Sequence, residues 1–143
     1  MVKFLSKNIQ AIPRSGIRKF FDIAAEKKDC LSLGVGEPDF VTNREFMQAG
    51  IDSLLAGKTQ YTANRGLLEL RVAICKYLID RYNLTYDPKT EVIVKVGASE
   101  AIDISISSVV DIGDEILIPE PSFVCYAPTV TLANGVPVKI KTY

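Results

Sequence analysis

The chain has 143 residues, 48% of them hydrophobic, and its 17 lysines and arginines are matched by 17 aspartates and glutamates. A formal net charge of zero denies it the electrostatic footprint of a nucleic-acid binder, and the opening MVKFLSKNIQ holds no signal-peptide core. With no histidine, a Ser-His-Asp or Cys-His pair and any histidine-ligated zinc are excluded within these residues.

Residues 1–14 read as an extended arm that Pro13 brings to a stop. Ser15 can cap a helix in which Ile17, Phe20, Phe21 and Ala24 share one face, and the charged run 26–29 ends it. Leu31 and Leu33 suggest a short strand, after which Gly34, Gly36 and Pro38 demand an irregular backbone. Thr42 and Glu45 have capping-box spacing for a helix carrying Met47, Ile51, Leu54 and Leu55, stopped at Gly57. The loop KTQYTANRG leads to a helix with Leu67, Leu70, Ile74 and Leu78 on its inner face. Asp87-Pro88 then signals a turn.

From Glu91 the pattern becomes β-α-β-α-β with short links, the order of an open, mostly parallel sheet with crossover helices. Val92, Ile93, Val94 and Val96 suit a buried parallel strand. Gly97 permits a tight reversal, and Ser99 is positioned to cap a helix starting near Glu100. Ile116 to Ile118 form a second strand, with Pro119 and Pro121 as stops. A third helix carries Tyr126, Val130 and Ala133; Asn134-Gly135 ends it, and Val136, Val138 and Ile140 alternate as a third strand.

The turn after the first of these strands carries the chemistry. Amides of Ala98 and Ser99 at a helix N-terminus, beside the carboxyl end of a strand, make a seat for a phosphate. Phe123 follows the second strand, where its face could cover a ring anchored by that phosphate. An ordinary βα turn without ligand fits the same residues. Cys30, Cys75 and Cys125 show no CxxC spacing and suit packing. Without histidine, proton transfer falls to Lys, Tyr, Asp, Glu or a cofactor, and no metal site is expected.

VGEPDF at 35–40, Tyr61-Thr62 with Gly66, VGASEA at 96–101 and IPEPSF at 118–123 with Tyr126 occur in a recognisable order. Together they resemble class I/II aminotransferases of pyridoxal-5′-phosphate fold type I, nearest the prokaryotic aspartate, aromatic and broad-specificity branch. The resemblance runs from about Ile12 to the end. It implies an α/β fold: part of a pyridoxal-phosphate transferase large domain from residue 35 to 143, preceded by an arm and helix over 1–34 that contribute to a small domain.

It also implies roles. Ala98 and Ser99 would bind the cofactor phosphate through their amides, and Phe123 would stack on the pyridine ring. Tyr61 would reach across a homodimer interface to the phosphate of the other subunit. Gly36 would lie against the substrate α-carboxylate, and Ile17 would line the substrate entrance or else pack in the core. The substrates implied are an amino acid and a 2-oxo acid, in cytoplasmic amino-acid metabolism, with no nucleic acid and no membrane.

The Schiff-base lysine of the family stands late, in a Ser-x-x-Lys context that these residues lack. Lys58, Lys95 and Lys139 are in other contexts. Also unmatched are the family's ring-contacting asparagine, pyridinium-pairing aspartate and carboxylate-clamping arginine. An N-terminal fragment is therefore expected, a truncated chain or one piece of a nicked polypeptide. It should bind cofactor weakly, fail to transaminate, and expose apolar faces that the rest would cover. Other fold-type-I chemistry (a C–S lyase or an aminocyclopropane carboxylate synthase-like elimination), a cofactor-binding regulatory domain and a non-catalytic interaction domain share these motifs.

Overall fold

A computed structural model describes residues 4–14, 16–27, 29, 36 and 38–143. The expected Ser15 cap, the Leu31–Leu33 strand, Gly34, Glu37 and Cys30 lie outside the described residues. The chain divides into two compact units, Met1–Leu31 with Lys95–Tyr143, and Ser32–Val94.

The first unit begins with helix α1 (Lys7–Ala11), where an extended arm was expected. Ser6 supplies the cap, its hydroxyl accepting from the Ile9 amide, and Asn8 Nδ2 donates to Asn134 Oδ1 at 2.8 Å. Helix α2 (Gly16–Ala25) follows. Helix α5 (Gly97–Val109), strand β1 (Glu115–Glu120), helix α6 (Tyr126–Leu132) and strand β2 (Val136–Lys141) complete the unit. β1 and β2 are parallel, with Leu117 opposite Val138 and Ile118 opposite Lys139. α6 is the crossover between them.

Packing in this unit centres on α6. Val130 is fully buried and Ile118 nearly so. Gly135 closes the turn after α6, its amide donating to the Val130 carbonyl at 2.9 Å. The opposite sheet face is open: Leu117 is 64% exposed, and Val136 and Ile140 are also exposed. Parallel sheets usually carry cover on both faces.

Pro119 lies inside β1 instead of stopping it. The Val136 and Thr142 amides donate to the Asp114 and Glu120 carbonyls, so alternate residues 114, 116, 118 and 120 face β2. Pro119 falls between them, on the border away from β2, where its missing N–H costs no bond to that strand. The same alternation puts Pro137 on the border of β2 away from β1.

The second unit contains helices α3 (Arg44–Leu55) and α4 (Leu68–Tyr82). Asn43, not Thr42, caps α3, its side-chain oxygen accepting from the Glu45 amide at 2.8 Å. The apolar residues of α3 stay largely exposed, because no described residue of this unit covers them. On α4 the inner stripe is Arg71, Ile74, Cys75 and Leu78, whereas Leu67 and Leu70 face outward. Arg71 is buried because its guanidinium donates to the Pro88 and Lys89 carbonyls. Asn83 ends α4 in the left-handed region at φ 55°.

Residues 92–95 are not a strand. No described segment offers them a ladder; the Val94 amide instead donates to the Arg65 carbonyl at 3.0 Å. Alternating apolar residues make a strand only when a partner supplies the hydrogen bonds.

The turn before them is held by Asp87, which accepts from the Lys89 amide and the Thr90 hydroxyl, each at 2.8 Å. These bonds, the Lys89 amide first, hold its carboxyl below the ordinary value of 3.8. A carboxyl lowered on folding stabilises the fold above its unfolded pKa, and the gain is lost as pH falls through the folded value. The denaturant midpoint is therefore expected to fall more steeply below pH 3.8 in the parent than in Asp87→Asn. Urea titrations compare the two, and parallel curves would show that the turn bonds add nothing.

Candidate functional site

α5 opens on Gly97 at φ +78°, a backbone setting that disfavours any residue with a Cβ. The helix starts three residues before the expected point, so Ser99 lies within its first turn and Val96 holds the cap position without a side-chain bond. Glu100 does part of the capping work, one carboxylate oxygen accepting from the Val96 amide at 2.6 Å. Its other oxygen is 3.7 Å from Lys95 Nζ. A carboxylate here suits the positive end of the helix, and the Lys95 ammonium offsets its charge.

Ala98 and Ser99 have no possible acceptor four residues back inside α5, and no described residue outside it accepts from either amide. Both residues are exposed. The head of the helix therefore presents free donors and a positive dipole end to whatever approaches, an arrangement that suits an anion.

The link 110–114 is short, and its residues bond to the turn after α6: the Gly113 amide donates to the Asn134 carbonyl at 2.9 Å. The tail of α5 thus sits at the amino end of β1. α5 packs against α6, and β1 leads away from the tail of α5 to the end where the strands finish. Phe123 emerges at that end, directly after the cis Glu120–Pro121 bond. Its ring is 54% exposed and meets Tyr126 edge-on, with centroids 6.0 Å apart and planes at 73°.

Phe123 borders an open cavity of about 930 Å³, with Ile118, Ala127 and the 11–14 segment among its walls. Glu120 and Lys139 line it as an ion pair at 2.7 Å. Gly16 lines this cavity, whereas Ile17, half-buried on α2, does not.

Tyr61 and Gly36 belong to the other unit. Tyr61 is fully exposed on the loop between α3 and α4. Gly36 is exposed, and a Cβ there would meet nothing within 4 Å.

Within the first unit, then, the residues offer two unbonded amides at the head of α5 that suit an anion and, after β1, a half-exposed aromatic ring; no residue of α5 is among the walls of the cavity that Phe123 borders. Sequence reasoning passed over Glu100, although its spacing of four from Val96 was a visible signal. It also passed over Arg65 and Arg71, whose bonding partners lie 17 to 25 residues away.

The model of the family described as "Aminotransferase class I and II" matches residues 28–143. YugH of Bacillus subtilis (strain 168), a candidate aminotransferase by name, is 53% identical over 99% of this chain and 37% of its own length. The aspartate aminotransferase of Pyrococcus abyssi is 45% identical, over 97% of this chain and 36% of its own. A crystal structure of Pyrococcus protein-A1 superposes with a TM-score of 0.91 at 46% identity, covering 95% of this chain and 35% of that one. The chain thus spans little more than a third of the length of these relatives.

Proposed function

The chain belongs to the class I and II aminotransferase family, and on that footing we propose that it is the N-terminal portion of a pyridoxal-5′-phosphate enzyme. The complete protein would move an amino group between an amino acid (aspartate, aromatic or a broad range) and a 2-oxo acid, in cytoplasmic amino-acid biosynthesis. In this reading residues 1–34 contribute to a small domain and 35–143 begin the large one. The observation that carries it is the pair of unbonded amides at the head of α5.

Those donors fit the cofactor's phosphate. Ala98 and Ser99 would grip its oxygens, while Glu100, engaged by Val96 and Lys95, stays out of the seat. Phe123 would cover one face of the pyridine ring, fixing its tilt and excluding water from that side. Once bound, the cofactor supplies an aldehyde that takes up nitrogen and a ring that draws electron density from the substrate Cα.

The phenol of Tyr61 would donate to the phosphate held by the second copy of a homodimer. Gly36 would set its backbone against the substrate carboxylate, and Ile17 would border the entrance. The lysine that moves the Cα proton would lie outside these residues.

Replacing Ala98 with proline deletes one phosphate donor at a helical position that needs no amide for its own ladder. In the complete protein, Ala98→Pro is expected to weaken pyridoxal 5′-phosphate by about 10- to 100-fold, as for a hydrogen bond to a charged group. Pyridoxal, which lacks the phosphate, should bind within about twofold of its parent affinity. Absorbance titration with both compounds measures this. Equal losses for the two would refute the phosphate seat.

A further inference from the structure

The loop that carries Tyr61 is anchored at both ends and bare in the middle. At its start, Gly57 and Lys58 donate to the Leu54 and Ser53 carbonyls at 2.9 and 3.0 Å, tying it to the last turn of α3. At its finish, the Gly66 amide closes a turn onto the Ala63 carbonyl at 2.7 Å. There Arg65 makes three links to a segment far along the chain. Its Nη1 donates to the Lys89 carbonyl at 2.8 Å and to the Thr90 carbonyl at 3.1 Å, and its own carbonyl accepts from the Val94 amide. Gly66 lies directly against Val94, so close that a Cβ would stand 2.7 Å from the Val94 Cβ. Tyr61 occupies the arch between these anchors, its whole side chain in solvent.

We propose that Arg65 is a positioning residue for Tyr61: its guanidinium, clasping the 89–90 carbonyls, holds the arch in the shape from which the phenol can reach a phosphate. This rests on the reading of Tyr61 given above. Arg65 itself need never touch the cofactor. A phenol on a slack loop would have to be ordered anew at each binding event, and that loss of freedom would be taken from the affinity. A loop already fastened at its finish spares most of it. One guanidinium nitrogen shared by two carbonyls is a suitable fastener because the planar group is rigid and has donors to spare.

The test is a double-mutant cycle on the complete protein, with the pyridoxal 5′-phosphate dissociation constant measured by absorbance titration. Arg65→Ala is expected to weaken binding by about three- to tenfold, the usual reach of one or two lost hydrogen bonds. Arg65→Lys, which keeps the charge and can still reach one carbonyl, should recover part of that loss. In a Tyr61→Phe background, Arg65→Ala should change the constant by less than about twofold, since the group it positions is gone.

A simple loss of stability would weaken binding in both backgrounds alike. If the two single losses multiply in the double variant, the positioning role is refuted while Tyr61 keeps its own. If Tyr61→Phe leaves the constant unchanged, the reading of Tyr61 fails, and the role of Arg65 goes with it. Should Arg65→Ala not fold, Arg65→Gln enters the same cycle and is judged by the same non-additivity.

Discussion

Given pyridoxal 5′-phosphate, an amino acid and a 2-oxo acid, these 143 residues are expected to release no keto acid beyond what free cofactor forms. Transamination needs a base that lifts a proton from one carbon and returns it to another, and a well-placed base is worth about 10²- to 10⁴-fold by itself. The amines of the first unit that lie at or near the candidate site are otherwise engaged. Lys139 is paired with Glu120 at 2.7 Å, and Lys95 is 3.7 Å from Glu100. Neither stands in the Ser-x-x-Lys context of the family's lysine. Phe123 and the α5 amides, whatever they hold in the proposed site, accept no proton. A coupled keto-acid assay on the purified chain decides the matter. Turnover that vanished on Lys95→Ala or Lys139→Ala would place the missing amine here and overturn the assignment.

The second large effect is structural. Gly66→Ala is expected to destabilise the 32–94 unit by roughly 2–5 kcal/mol, from two causes that can be separated. The backbone at Gly66 sits at φ +88°, and a methyl there would meet Val94 Cβ at 2.7 Å and Cγ2 at 3.0 Å. Gly57 is a natural control: its φ is +71°, yet a Cβ would meet nothing within 4 Å. Gly57→Ala should therefore show the conformational cost alone, about 1–2 kcal/mol. Adding Val94→Ala to Gly66→Ala leaves the Val94 Cβ in place but removes the second contact, so it should return only part of the difference. Denaturant unfolding of the four proteins tests this. Equal costs at positions 57 and 66 would mean that Val94 yields freely and that the close contact has no energetic weight.

Local pattern made most of the helices legible. The 3.6-residue spacing of Phe20, Phe21 and Ala24, or of Ile74 and Leu78, needs only the chain's own neighbours to be read. The β1–α6–β2 order was legible for the same reason, with Asn134-Gly135 punctuating it, and Asn134 adopts φ 65°. What escaped was whatever a distant residue decides. Val92 to Val96 have the composition of a strand, but a ladder is a property of two segments, and Arg65 is the one that takes the Val94 amide. Pro119 looked like a terminator because its place on the outer border of β1 shows only after the register is known.

Arg71 went unread because the 88–89 carbonyls that give its guanidinium partners inside lie 17 and 18 residues away. At the candidate site, the glycine turn and the aromatic were legible from their motifs. The cap was not, because Glu100 serves Val96 from within the helix, and an apparent Ser99 cap is the commoner arrangement.

The bare side of the two-stranded sheet has one more consequence. Leu117, Val136 and Ile140 form a wet hydrocarbon plate, each square ångström of which costs about 25 cal/mol while it faces water. The borders of that plate each carry a proline, at 119 and 137, turned so that a newcomer strand would find a donor missing. Lateral growth by added strands is thus discouraged on both flanks, while stacking from above is left open. The apolar plate itself is sheltered only by what packs on its face, the cover that parallel sheets usually carry on both sides.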